Sequence, residues 1–147
     1  MADISLADAA ATEAFGARLA PLILPGDVIT LSGSLGAGKT SLARGVLAAL
    51  GLEGEAPSPS FSIVQTYLPP EVHLPVLHVD LYRIDDPAEL DELGLDESAD
   101  ALLLVEWPER APGRWPNALA LALDVAGPGR VLTASVPPAW GSRWQSI

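Results

Sequence analysis

Gly33-Ser-Leu-Gly-Ala-Gly-Lys-Thr40 decides the reading of this 147-residue chain. The stretch satisfies every fixed position of G-x-x-x-x-G-K-[ST], the phosphate-binding loop pattern. Lys39 is also the only lysine, beside seven arginines. A shuffled chain of this composition would carry the pattern on the order of once in a thousand, judged against average usage. The competing reading, a glycine-rich turn before an ordinary helix, is therefore the weaker one. Glycines let backbone N–H groups converge on phosphate oxygens, and the following helix presents its positive dipole end there. In that geometry Lys39 reaches the β- and γ-phosphates and the Thr40 hydroxyl binds magnesium. The expected nucleotide-binding segment is Gly33, Ser34, Leu35, Gly36, Ala37, Gly38, Lys39, Thr40 and Ser41.

The flanks supply the context the motif needs. Val28-Ile-Thr-Leu-Ser32 is a short β-branched run, predicted as a buried strand, and a helix follows from about Lys39 to Leu50, stopped by Gly51. Upstream, Asp8 can cap a helix through about Leu19, ended by Pro21, Pro25 and Gly26. Downstream, Phe61 to Leu68 and Val76 to Tyr82 read as paired strands around Pro69-Pro70. Asp86-Pro87-Ala-Glu89 is a helix start, and Gly94 keeps that helix short. Ala101-Leu-Leu-Leu-Val105 suits a central parallel strand buried on both faces. Leu119 to Val125 and Val131 to Val136 form a closing hairpin. The tail from about 137 to 147 is expected to be irregular. The sum is one α/β domain over residues 1–147, of P-loop NTPase type. It has a central, mostly parallel sheet, antiparallel edge strands and helices on both faces.

Two apolar strands end in acids, Asp80 and Glu106. In open α/β sheets ligands lie at the carboxyl ends of strands. On strands flanking the loop strand, one of these acids ligates magnesium and the other orients the attacking water or acts as base. The residues do not distinguish which does which. GTP-selective relatives of this motif carry an Asn-Lys-x-Asp element. Here Asn117 is the only asparagine, an alanine follows it, and no second lysine exists, so ATP or ADP is expected. No arginine stands out as a finger supplied in cis. Arg83 and Arg44 are expected to form structural ion pairs.

Composition narrows the class. The chain lacks cysteine and has two histidines, which excludes disulfides and makes a zinc site unexpected. Its start has no signal-peptide pattern and no apolar run approaches a membrane span, so cytoplasmic is the expectation. A net charge of −11 opposes direct binding of nucleic acid over most of the surface. Half of the residues from Asp85 to Asp100 are acidic. They read as a solvated face or, more sharply, as a docking surface for a basic partner.

With the loop, Ser58-Pro-Ser-Phe61, His78-Val-Asp-Leu-Tyr-Arg83 and Val105-Glu-Trp-Pro108 in register, the chain resembles the TsaE family from about residue 26 to 110. That family supplies the small ATPase of bacterial tRNA threonylcarbamoyladenosine biosynthesis. The resemblance implies a magnesium-dependent ATPase of low intrinsic activity. It implies partners TsaB and TsaD, a complex reset by ATP hydrolysis, and contact with tRNA only through those partners. By position it implies Lys39 and Thr40 as phosphate and magnesium residues, Ser60 as a switch-like hydroxyl, and Asp80, Glu106 and Trp107 at the reaction centre. Trp107 is expected to pack over the nucleotide or a switch segment. Ser60 stands where the family usually has threonine, and Ser34 where it often has aspartate; neither removes a required group. Two other classes compete: a small-molecule kinase with Arg83, Arg110, Arg114 or Arg130 in a lid, and a non-hydrolysing, nucleotide-gated binding module. The chain has no lid-like insertion.

Overall fold

The computed structural model describes residues 2–34, 36–54, 64–95 and 100–147. The chain runs β1 (Ala2–Leu6), α1 (Ala9–Leu19), β2 (Val28–Gly33), α2 (Lys39–Ala49), β3 (Val64–Tyr67) and β4 (Val76–Asp80). It continues through β5 (Leu102–Glu106), β6 (Leu119–Ala126), β7 (Gly129–Ser135) and α3 (Gly141–Trp144). Seven strands form one sheet in the order β1-β7-β6-β2-β5-β4-β3. The inner four, β6, β2, β5 and β4, are parallel, and the pairings outside them are antiparallel. This is the expected mixed α/β sheet with antiparallel edges.

Every residue of β4 and β5 is buried, as continuous apolar strands in a parallel sheet require. Their alternation divides the core. Val76, Leu102 and Leu104 pack with Ile29, Leu31 and Leu121 against α1 and α2, while Leu77, Val79, Leu103 and Val105 turn to the other face. Asp8 caps α1 as its sequence predicts, Oδ1 accepting from Ala11 N–H at 2.8 Å. The α2 stripe Leu42, Val46 and Leu47 is fully buried. At Gly45 the two helices touch so closely that a Cβ would lie 2.0 Å from Glu13 O.

The expectation of helices on both faces needs correction. Both eleven-residue helices lie in the core layer on one face. The other face is covered by the 3₁₀ segment Pro87–Leu93 and its flanks, through Leu81, Ile84, Leu90 and Leu95. The start is as predicted, with Asp86 Oδ1 accepting from Ala88 N–H, and Gly94 in a left-handed conformation ends the segment. Between Asp86 and Gly94 there is room for only seven residues, and Leu90 and Leu93 are their apolar contacts to the core, too short a stripe for a long amphipathic α-helix. Asp85, Asp86, Glu89, Asp91, Glu92 and Asp100 are all exposed.

Two further differences concern the ends. Ala2–Leu6, not read as a strand, pairs antiparallel with β7. The tail, expected to be irregular, forms a 3₁₀ turn over Pro138–Trp140 and then α3. Trp140 is 1% exposed, and Arg143 anchors the tail by donating to Asp27 Oδ2 at 2.6 Å and to Leu22 O at 2.9 Å. Burial of an indole and a satisfied ion pair gives these residues a fixed course. Among the described residues no helix is long and apolar enough to cross a membrane.

Candidate active site

Sheet register brings the strand ends level. Leu31 on β2 pairs with Glu106 on β5, and Glu106 pairs with Asp80 on β4. The order corrects one expectation: β5 adjoins the loop strand, but β4 lies one strand farther out, so only Glu106 is on a flanking strand. Residues two apart share a face, so His78 and Asp80 lie on the side of Glu106, the side that α2 covers.

The loop leaves β2 at Gly33, whose φ is 140° and where a Cβ would lie 2.4 Å from Leu123 O. Only glycine fits that position. Gly38, with φ 103°, caps α2 and has no side chain with which to cap. The N–H groups of the first turn are therefore available to ligand oxygens. A cleft of about 430 Å³ opens here, lined by Gly36 to Ser41 and by Asp80, Tyr82, Arg83, Glu106 and Trp107.

Lys39 is 5% exposed. Its Nζ donates to Gly33 O at 2.6 Å and Ser34 O at 2.9 Å, and lies 4.2 Å from the Trp107 ring centroid. Burial lowers its pKa from the usual 10.5, opposed by the charges of Glu106, Glu109 and Asp80. Trp107 has φ 61° and ψ 50°, the only positive φ at a described non-glycine residue. A left-handed tryptophan costs on the order of 1–3 kcal/mol. Its N–H donates to Leu31 O at 3.2 Å, and its ring meets Tyr82 at 4.9 Å. That backbone turn swings the indole over the loop lysine.

Glu106, 3% exposed, joins two groups. The Thr40 hydroxyl donates to Oε1 at 3.3 Å, and His78 Nε2 lies 2.6 Å from Oε2. His78 is fully buried, and among the described residues its Nδ1 has no hydrogen-bond partner. Asp80 Oδ1 accepts from Tyr82 N–H at 2.9 Å. Burial raises the Asp80 pKa above 3.8; the Tyr82 bond opposes this, Glu106 adds to it, and His78 and Lys39 oppose it.

Lys39, Thr40, Ser41, Asp80, Glu106 and Trp107 thus converge with Gly36, Ala37 and Gly38, and Gly33 and Ser34 supply carbonyls to Lys39. Leu35 and Ser60, with Ser58 to Phe61, lie outside the described residues. Arg83 lines the cleft, whereas Arg44 lines a groove between α1 and α2. Of the arginines considered for a lid, Arg114 lies 3.7 Å from Asp91 and Arg130 bonds the loop. Among the described residues no group of three His, Asp or Glu side chains could hold a metal by itself. The Thr40 hydroxyl and the acids offer hard oxygen ligands, which suit magnesium when phosphate oxygens complete its shell.

Sequence reasoning missed two contributors. His78 is the single polar residue inside the apolar stretch of β4, a signal that was legible. Arg130, 93 residues beyond Ala37, had none.

A family described as "Threonylcarbamoyl adenosine biosynthesis protein TsaE" matches residues 6–130. The tRNA threonylcarbamoyladenosine biosynthesis protein TsaE of Mycobacterium leprae is 41% identical over 104 residues, covering 65% of this chain and 65% of that protein. Its namesake from Mycobacterium bovis is 42% identical over 106 residues, covering 67% and 63%. The matched region therefore spans less than two thirds of either relative. The crystal structure of Bacillus subtilis YdiB superposes with a TM-score of 0.81 at 30% identity, covering 98% of this chain and 91% of that one.

Proposed function

From the premise that this chain belongs to the TsaE family, we propose that it is a single-domain, magnesium-dependent ATPase of P-loop NTPase type serving tRNA threonylcarbamoyladenosine formation. The observation that carries the reading is the meeting of Lys39, Thr40, Glu106 and Asp80 in one cleft at the carboxyl ends of parallel strands. Each of those residue types has a task in phosphoryl transfer.

Lys39 leaves the Gly33 and Ser34 carbonyls and pairs with the β- and γ-phosphates. Backbone N–H groups of Gly38, Lys39 and Thr40 cradle the same oxygens, while the Ala37 N–H stays bonded to Ser34 O. Thr40 with Glu106 or Asp80 would hold the magnesium ion, which when bound supplies Lewis-acid stabilisation of phosphoryl oxygens. The buried Glu106, held by His78, accepts a hydrogen bond from the attacking water; Asp80 completes the acidic wall. Ser60 is assigned the switch hydroxyl and Trp107 the cover over the phosphates. The base is adenine, in keeping with the absent guanine element.

The intrinsic rate is low because partners complete the site. Those partners are TsaB and TsaD, and hydrolysis resets their complex between turnovers. The net charge of −11 and the exposed acids of the 85–95 segment support a role in which tRNA is met only through those proteins. The proposed compartment is the cytoplasm. A kinase reading is weaker because the chain has no lid-like insertion to carry its arginines; only Arg83 of the four lines the cleft.

Deleting the gene and measuring tRNA nucleosides by mass spectrometry tests the proposal. Loss of threonylcarbamoyladenosine, restored by the parent gene and not by Lys39→Ala, is the expected result. An unchanged level in a genome without a second copy would overturn it.

A further inference from the structure

Arg130 sits at the start of the returning strand of the β6–β7 hairpin. Its backbone is held from both sides, paired with Val125 on β6 and with Leu6 on β1. From that fixed base the half-buried guanidinium reaches the glycine loop. Nε donates to Ala37 O at 3.0 Å and Nη2 to Gly36 O at 2.9 Å, while Nη1 donates to Gly129 O at 2.7 Å.

The consequence follows from peptide geometry. Among the described residues the single cis bond is Pro69-Pro70, so both loop peptides are trans. In a trans peptide the C=O and N–H point in opposite directions. Fixing the Gly36 and Ala37 carbonyls toward the hairpin turns the N–H groups of Ala37 and Gly38 away from it. Both residues line the cleft. The Ala37 N–H already bonds inside the loop, to Ser34 O at 3.1 Å. A loop with three glycines among six residues would otherwise sample many peptide orientations, and ordering it on binding would weaken affinity.

We propose that Arg130 is a positioning residue for phosphate binding, a two-point brace that orders the loop N–H groups before the ligand arrives. The proposal rests on the nucleotide reading above. It explains the residue type: a rigid guanidinium can serve two successive carbonyls and its own strand at once, whereas a lysine is a point donor on a flexible stem. Among the described residues every hydrogen bond of Arg130 goes to a carbonyl, and Arg130 does not line the cleft.

Titration of the purified full chain with Mg-ADP tests it, using the parent, Lys39→Ala, Arg130→Lys and Arg130→Leu. Arg130→Lys and Arg130→Leu are each expected to weaken binding about tenfold or more, the scale of losing charge-assisted hydrogen bonds. Lys39→Ala separates the two failures. If the parent does not bind, or Lys39→Ala binds as the parent does, the nucleotide reading fails. If the parent binds, Lys39→Ala does not, and Arg130→Lys stays within about twofold of the parent, the brace is overturned while the nucleotide reading stands, because net hydrogen bonds of this kind are worth more than that. Amide exchange in nucleotide-free protein separates positioning from plain stability. In Arg130→Lys the Ala37 amide should exchange faster while amides of the β6–β7 pairing do not. Equal acceleration in both would mean that Arg130 only stabilises the hairpin, and would overturn the proposal. Arg130→Lys keeps the charge and the aliphatic stem, so it decides the matter even if Arg130→Leu fails to fold.

Discussion

The Lys39 ammonium lies 4.2 Å from the centroid of the Trp107 indole, and the Tyr82 ring packs 4.9 Å from the same indole. Lys39 also bonds two loop carbonyls, so its charge is satisfied without phosphate. A β-phosphate entering the cleft would draw the ammonium off those carbonyls and out of the cation–π contact, which is worth about 0.5–2 kcal/mol. Trp107 emission should therefore change on adding Mg-ADP. Titrating Trp107→Phe beside the parent isolates the signal from Trp115, Trp140 and Trp144. Identical traces from both proteins would remove Trp107 from the site.

In the proposed ATPase, Glu106 is assigned proton acceptance and not merely charge. Its carboxylate is shared between Thr40 and the buried His78. Glu106→Gln retains an acceptor for His78 and gains a donor toward the Thr40 hydroxyl, so the fold and the loop should persist. Hydrolysis should fall about a hundredfold or more, the scale of losing a general base. Mg-ADP affinity should stay within about tenfold, since loop N–H groups and Lys39 carry most phosphate contacts. Full hydrolysis by the variant would transfer the role to Asp80.

Asp80 makes a prediction about pH. Burial, its largest influence, raises its pKa above 3.8, so the folded state holds this proton more tightly than the unfolded chain does. The associated stability is present below 3.8 and is lost as pH rises through the raised value. Above that raised value the charged form therefore burdens the nucleotide-free fold. Asp80→Asn keeps the oxygen that accepts from Tyr82 N–H and removes the charge. The variant should be more stable than the parent at pH near 7 in denaturant titrations, and the gap should close as pH is lowered toward the ordinary carboxylate range. A gap independent of pH would refute a charge-based cause.

These residues also show what a linear reading can and cannot reach. Strands β4 and β5 were legible because burial on both faces demands continuous apolar runs, and both runs end in acids. The glycine loop was legible because positive φ at Gly33 and Gly38 admits almost no other residue. Strand β1 was missed although Ile4 and Leu6 alternate with Asp3 and Ser5; five residues beside a capped helix give a weak period. The second face was misread because a correct N-cap at Asp86 says where a helix starts, not whether it has a stripe to bury. The left-handed turn at Trp107 carries no residue signature, since tryptophan ordinarily avoids that region. The bonds from Arg130 to the loop cross 93 and 94 residues and exist only once β7 has folded back beside β6.

The lone lysine permits one last test that needs no variant. Any ε-amine modification of this chain must fall on Lys39. Burial lowers its pKa from 10.5, which enlarges the reactive neutral fraction at mildly alkaline pH. The two loop carbonyls and the indole oppose this by restricting access. An amine-directed reagent, followed by peptide mapping, should therefore label Lys39 slowly and with a rate that rises with pH. Saturating Mg-ADP should suppress the labelling about tenfold or more, because a phosphate-paired ammonium is held charged and covered. Equal rates with and without Mg-ADP, in protein shown to bind it by another method, would mean that Lys39 does not contact the phosphates.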